Sequence, residues 1–218
     1  VPARSGRVKI EAFCVESGRW QKRGSEDSTK FTSSNDRIVT KELKIAANAT
    51  RSQQEVWDKV NEAQGRLSTN VGATVNSAAS RSSLQLSLEN NQVVASVDEY
   101  VKELSGIAYG RSDVIGYAFA INGKLNSADI YVSNALFKKV WLKNLKATAT
   151  EAVSESRGVR LADPVKADAV KGMIAESENA RSRERAAGPS GTKLVTREDK
   201  DNVMVEAVDE KSKVVVHK

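Results

Sequence analysis

Val114-Ile-Gly-Tyr-Ala-Phe-Ala-Ile121, then Asn122-Gly123, then Lys124-Leu-Asn-Ser-Ala-Asp-Ile-Tyr-Val132 is the stretch from which the fold is read. An apolar run rich in Gly and Ala meets a two-residue turn and comes back. Asn-Gly suits that turn because type I′ geometry needs positive φ at both central positions. The reading is a β-hairpin. Immediately after it Ser133 can cap a helix. Leu136, Phe137, Val140, Trp141, Leu145 and Ala149 then recur at helical spacing, with Lys138, Lys139, Lys143 and Lys146 on the other side. A hairpin leading into a helix, with no regular strand–helix–strand alternation, predicts an antiparallel sheet in an α+β fold.

Upstream, Val8-Lys-Ile-Glu-Ala-Phe-Cys14 alternates and places Val8, Ile10, Ala12 and Cys14 on one face of a first strand. Residues 17–36 are polar and read as a loop, and 38–47 fits strand or helix. Ser52-Gln-Gln-Glu55 has capping-box form ahead of Val56, Val60, Ala63 and Leu67, which predicts a helix over 53–67. The small polar residues 68–83 read as a second mobile loop. Helical spacing resumes over 92–105. Downstream, Asp163-Pro164 has the form of an N-cap followed by proline at the first helical position, predicting a helix over 164–180. Gly188-Pro-Ser-Gly191 reads as a linker. Thr192–Arg197, Val203–Val208 and Lys213–His217 then form an antiparallel meander. The expected sheet joins the first strand, the Asn-Gly hairpin and the meander, with about four helices packed on it. In domain terms, 1–153 is the main body with mobile loops 17–36 and 68–83, 154–191 is helix and linker, and the meander 192–218 packs on the same domain.

Composition narrows the function classes. Aromatics make up 5% of the 218 residues, so the core must be built mainly from Val, Ala, Leu and Ile. No run approaches the ~20 apolar residues of a membrane helix, so the chain reads as soluble with no membrane partner. The net charge of +6 is concentrated early: residues 1–60 carry 12 basic and 8 acidic side chains, 61–153 carry 9 and 8, and 154–218 carry 13 and 12. No tract of like charge follows, which argues against a nucleic-acid partner. A single cysteine excludes an internal disulfide and leaves the compartment open. The chain opens on Val1-Pro2 without a leader, so the expectation is a product lacking an upstream segment, in keeping with secretion or the periplasm.

Three segments, Cys14-Val-Glu-Ser-Gly-Arg-Trp20, Gln54-Glu-Val-Trp57, and the hairpin and helix from Ile115 through Asp129 to Trp141 and Glu151-Ala152, resemble a known family. It is the ARG and rhodanese-phosphatase-superfamily-associated protein domain, a bacterial family without an assigned activity. The resemblance spans roughly 1–153, and the last meander is similar to the family's end. It implies strands upstream of Val1, including a glycine-rich segment, and hence a chain completed by upstream residues or by another chain.

Candidate chemistry is sparse. Cys14 would need a base to form thiolate, and the one histidine, His217, would have to lie beside the first strand. Cys14 shares its strand face with apolar neighbours and reads as a small buried hydrophobe. No paired His/Cys spacing suggests zinc. Oxygen-only ligation by Glu16, Asp58 and Asp129 is the remaining metal option, and no metal or cofactor is expected. Arg19 offers a planar fork for phosphate or carboxylate and Trp20 a stacking face. Equally, they clip the loop to the domain with Glu16 as the ion partner. Trp57 and Trp141 sit at core spacing. Asp129 shares a strand face with Leu125, Ser127 and Tyr131, where it is either solvent-facing or the partner of a basic group such as Arg19.

No complete catalytic set emerges, so the expected function is non-enzymatic binding or assembly, with a second copy or a strand-donating chain as partner. The alternative is an enzyme or binder acting on a nucleotide or ADP-ribose-like phosphorylated ligand. Its ligand-binding residues would be Glu16, Arg19, Trp20, Gln54 and Asp129.

Overall fold

The computed structural model describes residues 12–19, 40–155, 162–186 and 191–218. They fall into two compact units interleaved along the chain, one formed by residues 1–12, 111–139 and 161–218, the other by 13–110 and 140–160.

The first unit is the sheet. β1 (Gly116–Ile121) and β2 (Lys124–Ile130) pair antiparallel around Asn122-Gly123, and both turn residues have positive φ. The hairpin is therefore as the Asn-Gly signal predicts. β4 (Thr192–Glu198), β5 (Val203–Asp209) and β6 (Val215–His217) form the expected meander. A further strand, β3 (Arg181–Ala186), pairs antiparallel with β4 and gives the order β3-β4-β5-β6. The sequence reading predicts no strand between the helix over 164–180 and the linker. Arg, Ser and Glu alternate over 181–186 with every residue but one exposed, so burial gives no period-2 signal there. Pairing with β4 decides the conformation instead.

The hairpin and the meander meet at β6. The Ile130 amide donates to the Lys218 carbonyl at 2.7 Å, and the Lys218 amide donates back at 2.9 Å. The Val132 amide donates to the Val216 carbonyl at 2.9 Å, and Tyr131 lies opposite His217. The two-stranded sheet β1-β2 and the four-stranded sheet β3-β4-β5-β6 are thus joined, antiparallel, only at the end of β2. α6 (Ala167–Asn179) belongs to this unit. Its N-cap is Lys166, without a side-chain cap bond, so the predicted start at Asp163-Pro164 is three residues early. Stacked Tyr117, Phe137 and Tyr131 form an aromatic core beneath the hairpin, with Phe137 1% exposed.

The second unit is helical. α1 (Lys41–Ile45), capped by Thr40, runs into a π-helical turn at Ala46–Thr50, which resolves the ambiguous 38–47 stretch as helix from Lys41 onward. α2 (Gln53–Val71) starts at Ser52, whose hydroxyl accepts from the Glu55 amide at 3.3 Å, and ends at left-handed Gly72. The helix thus continues four residues into the stretch read as loop. α3 (Leu84–Leu88) is a short helix the sequence reading missed, capped by Ser83. α4 (Asn91–Leu104) carries Val93 and Val97 inward. α5 (Asn134–Glu155) begins at Ser133, whose hydroxyl accepts from the Leu136 amide, and passes from the first unit into the second. Leu43, Val56, Val60, Leu67, Leu84, Val93 and Val153 build one aliphatic core, as the low aromatic content requires. Each such side chain contributes on the order of 1.5–3 kcal/mol by leaving water. Trp141 is 3% exposed and donates from Nε1 to the Ser105 carbonyl at 2.8 Å, a packing residue.

Most of the predicted first strand lies outside the described residues, and Ala12, Phe13 and Cys14 are not in strand conformation. Phe13 and Val15 pack instead against the aliphatic core.

Candidate functional site

Residues 12–19 are held by groups at the starts of α2 and α3 and by Ser82 just before α3. Gln53, the first residue of α2, grips the backbone of Cys14 on both sides. Its Oε1 accepts from the Cys14 amide and its Nε2 donates to the Cys14 carbonyl, both at 2.8 Å. The carboxamide thereby supplies the donor and acceptor a neighbouring strand would otherwise supply. The Leu84 amide donates to the Val15 carbonyl at 3.3 Å, and the Ser82 hydroxyl donates to the Ser17 carbonyl at 2.7 Å. The Cys14 thiol donates to the Glu16 carbonyl at 3.0 Å.

Gly18 has φ +78°, a conformation that suits glycine. Glu16 is 6% exposed, and Arg19 Nε lies 3.9 Å from its Oε2. The Arg19 side chain keeps 40% of its surface in water. The expected Glu16–Arg19 pairing is therefore present, buried on one side and open on the other. Trp20 lies outside the described residues. Gln54 is exposed and donates to Asp58 at 3.0 Å, so of the two adjacent glutamines it is Gln53 that reaches the segment. Sequence reasoning chose Gln54 because it opens the Gln-Glu-Val-Trp signature. The helical phase that turns Gln53 toward Cys14 becomes visible only once the helix start is fixed at Ser52.

Asp129 belongs to the other unit and has a different set of partners. Its Oδ2 accepts from the Tyr117 hydroxyl at 2.7 Å, and its Oδ1 lies 2.8 Å from His217 Nε2. The imidazole stacks on Tyr131 with ring centroids 4.5 Å apart. β1, β2 and β6 each contribute to this cluster: Tyr117 lies directly across from Asp129, and β6 brings His217 alongside. Asp129 is thus half-buried among polar groups. A carboxylate bound to one imidazole nitrogen fixes the ring's orientation and leaves the other nitrogen to act as donor or acceptor. Sequence reasoning missed His217 and Tyr117 as partners of Asp129. Neither could be read from the sequence: the two-residue loop alone would set Tyr117 opposite Ala128, and the irregularity between Phe119 and Ala120 shifts it to Asp129, while β6 reaches β2 from 88 residues away.

Among the described residues, no group of three His, Cys, Asp or Glu side chains could hold a metal ion, so Glu16, Asp58 and Asp129 form no such site. In the helical unit a hollow of about 120 Å³ is lined by Leu88, Val94, Val97, Asp98, Lys146 and Thr150. Sites for drug-sized ligands run to ~300–1,000 Å³, so this hollow is small for a nucleotide. Among the described residues no helix is long and apolar enough to cross a membrane.

A family model described as the ARG and Rhodanese-Phosphatase-superfamily-associated Protein domain matches residues 1–218. No curated protein and no solved structure gives a match.

Proposed function

The chain belongs to the ARG and Rhodanese-Phosphatase-superfamily-associated Protein domain family, and from that premise we propose that it is a binding or assembly domain that works by strand pairing. One observation supports the reading: among the described residues, the sheet β1-β2 and the sheet β3-β4-β5-β6 meet only where residues 130–132 pair with 216–218, so each is a small open sheet. The edges of open sheets present backbone donors and acceptors to any extended segment that can reach them. Light scattering on the purified chain tests the reading. A mass above that of one 23.6 kDa chain, or a stable complex with an added strand-donating chain, supports it. A monomer that accepts no strand at any sheet edge would falsify it.

The second reading, a binder or enzyme for an ADP-ribose-like phosphorylated ligand, is supported by the half-open Glu16–Arg19 pair. A guanidinium that keeps a face in water beside a buried carboxylate suits an anionic ligand. Thermal-shift titration with ADP-ribose, comparing the native chain with Arg19→Ala, addresses it. A midpoint unmoved by the ligand removes this reading.

A further inference from the structure

The hollow in the helical unit combines apolar surface with two charges of opposite sign. Its lining comes from α3, its C-cap Glu89, α4 and α5. Leu88 and Val97 are buried, whereas Val94 keeps 40% of its surface in water. Covering an apolar side chain left open in this way is favourable. Asp98 on α4 and Lys146 on α5 both line the hollow and both are exposed. No ion pair joins them, and among the described residues neither side chain has a hydrogen-bond or ion-pair partner. Lys102, one turn along α4 from Asp98, does not pair with it either. The remaining polar side chains are already engaged: the Thr150 hydroxyl donates to the Lys146 carbonyl at 2.7 Å, and Glu89 accepts from Gln85 at 2.9 Å. A carboxylate and an ammonium that share one hollow without meeting suit a ligand that carries both signs.

We propose that this hollow binds a small aliphatic α-amino acid as its zwitterion. The ligand's ammonium donates to the Asp98 carboxylate, and its carboxylate accepts from the Lys146 ammonium. Its aliphatic side chain lies on Leu88, Val94 and Val97. Each charge of the ligand meets its opposite, and hydrogen bonds between charged groups are about twice as strong as neutral ones. A ligand with one charge leaves either Asp98 or Lys146 unanswered. Size sets the upper limit. An apolar cavity of about 150 Å³ takes up benzene, so 120 Å³ suits a side chain of valine size and is too small for an indole together with the charged head. Because Asp98 and Lys146 are exposed, the affinity is modest, as for other pairs in contact with water. The site lies within the helical unit and is independent of pairing at the sheet edges.

The test is a titration of the isotope-labelled full chain with L-valine, read by amide chemical shifts. The shifts should saturate and centre on Leu88, Val97 and Thr150. Isovalerate lacks the ammonium and isobutylamine lacks the carboxylate, and each should bind at least about threefold more weakly than valine. Asp98→Asn and Lys146→Met should weaken valine by a similar factor. Both side chains are exposed, so the thermal midpoints of the variants should stay near that of the native chain. Should either variant fail to fold, the two single-charge analogues on the native chain decide the matter. Isovalerate or isobutylamine binding as tightly as valine overturns the zwitterion. Folded variants that bind valine as the native chain does overturn the roles of Asp98 and Lys146. Shifts centred elsewhere, or none up to the solubility limit of valine, overturn the site.

Discussion

At the scale of single residues, adjacent side chains of one type differ sharply in what they do. Gln53 satisfies the amide and carbonyl of Cys14, whereas Gln54 reaches only Asp58 on the exposed side of α2. Gln53→Ala leaves two partly buried backbone groups without those partners and should cost about 1–3 kcal/mol. Gln54→Ala should cost under about 0.5 kcal/mol. Urea unfolding midpoints at equal slope would compare them, and equal losses would show that the clamp is not what holds the segment. Gly116 makes a second residue-scale case. A Cβ there would stand 2.4 Å from the Asp129 carbonyl oxygen and 2.9 Å from the Ile130 Cα, both backbone atoms that cannot rotate away. Gly116→Ala should therefore push β1 off β2 and destabilise by about 1–3 kcal/mol. Its signature would be a loss of amide protection confined to the hairpin, and unchanged protection there would refute the close approach.

At the scale of elements, the two meander turns are held by aspartates. The Ser212 hydroxyl and amide donate to Asp209, and these bonds hold its carboxyl below the usual carboxylate range. Amides of Asp201 and Asn202 donate to Asp199 with the same effect. A carboxylate lowered in the folded state contributes stability that is fully present above its unfolded value of ~3.9 and is lost as pH falls through the folded one. Protection factors of the Ser212 and Asn202 amides should hold at neutral pH and fall below about pH 4. Protection that does not change across the whole acid range would mean that other contacts fix these turns. The same elements show what sequence makes legible. The hairpin, the meander and the helices begun by Ser52 and Ser133 were readable because turn and cap chemistry is local. β3 was not, since Arg181–Ala186 alternates polar with polar and takes its conformation from β4. Nor was the Asp129–His217 pair, which depends on β6 crossing to β2. The strand expected from Val8 lies, up to residue 11, outside the described residues.

At the scale of the whole molecule, α5 belongs to both units, with the division falling between Lys139 and Val140. Proline at Val140 would remove a hydrogen bond and clash with the preceding turn at that division, costing about 3 kcal/mol or more. Hydrogen-exchange mass spectrometry on Val140→Pro should show lowered protection in β2 and in α2 alike. Leu67→Ala, at about 2–5 kcal/mol, should act first on the helical unit, whose core Leu67 joins. If Val140→Pro loosened one unit alone, α5 would be two helices placed end to end in all but name. The position of β6 has a further consequence, for synthesis. A ribosome delivers β2 early and β6 some eighty residues later, which at ~5–20 residues per second is a wait of about 4–17 s. Throughout that interval the Asn-Gly hairpin is complete while the strand destined to lie beside it has not been translated. The nascent chain therefore carries an apolar hairpin with a vacant flank, the kind of surface a ribosome-associated chaperone covers, and slow codons between the hairpin and β6 would lengthen the exposure.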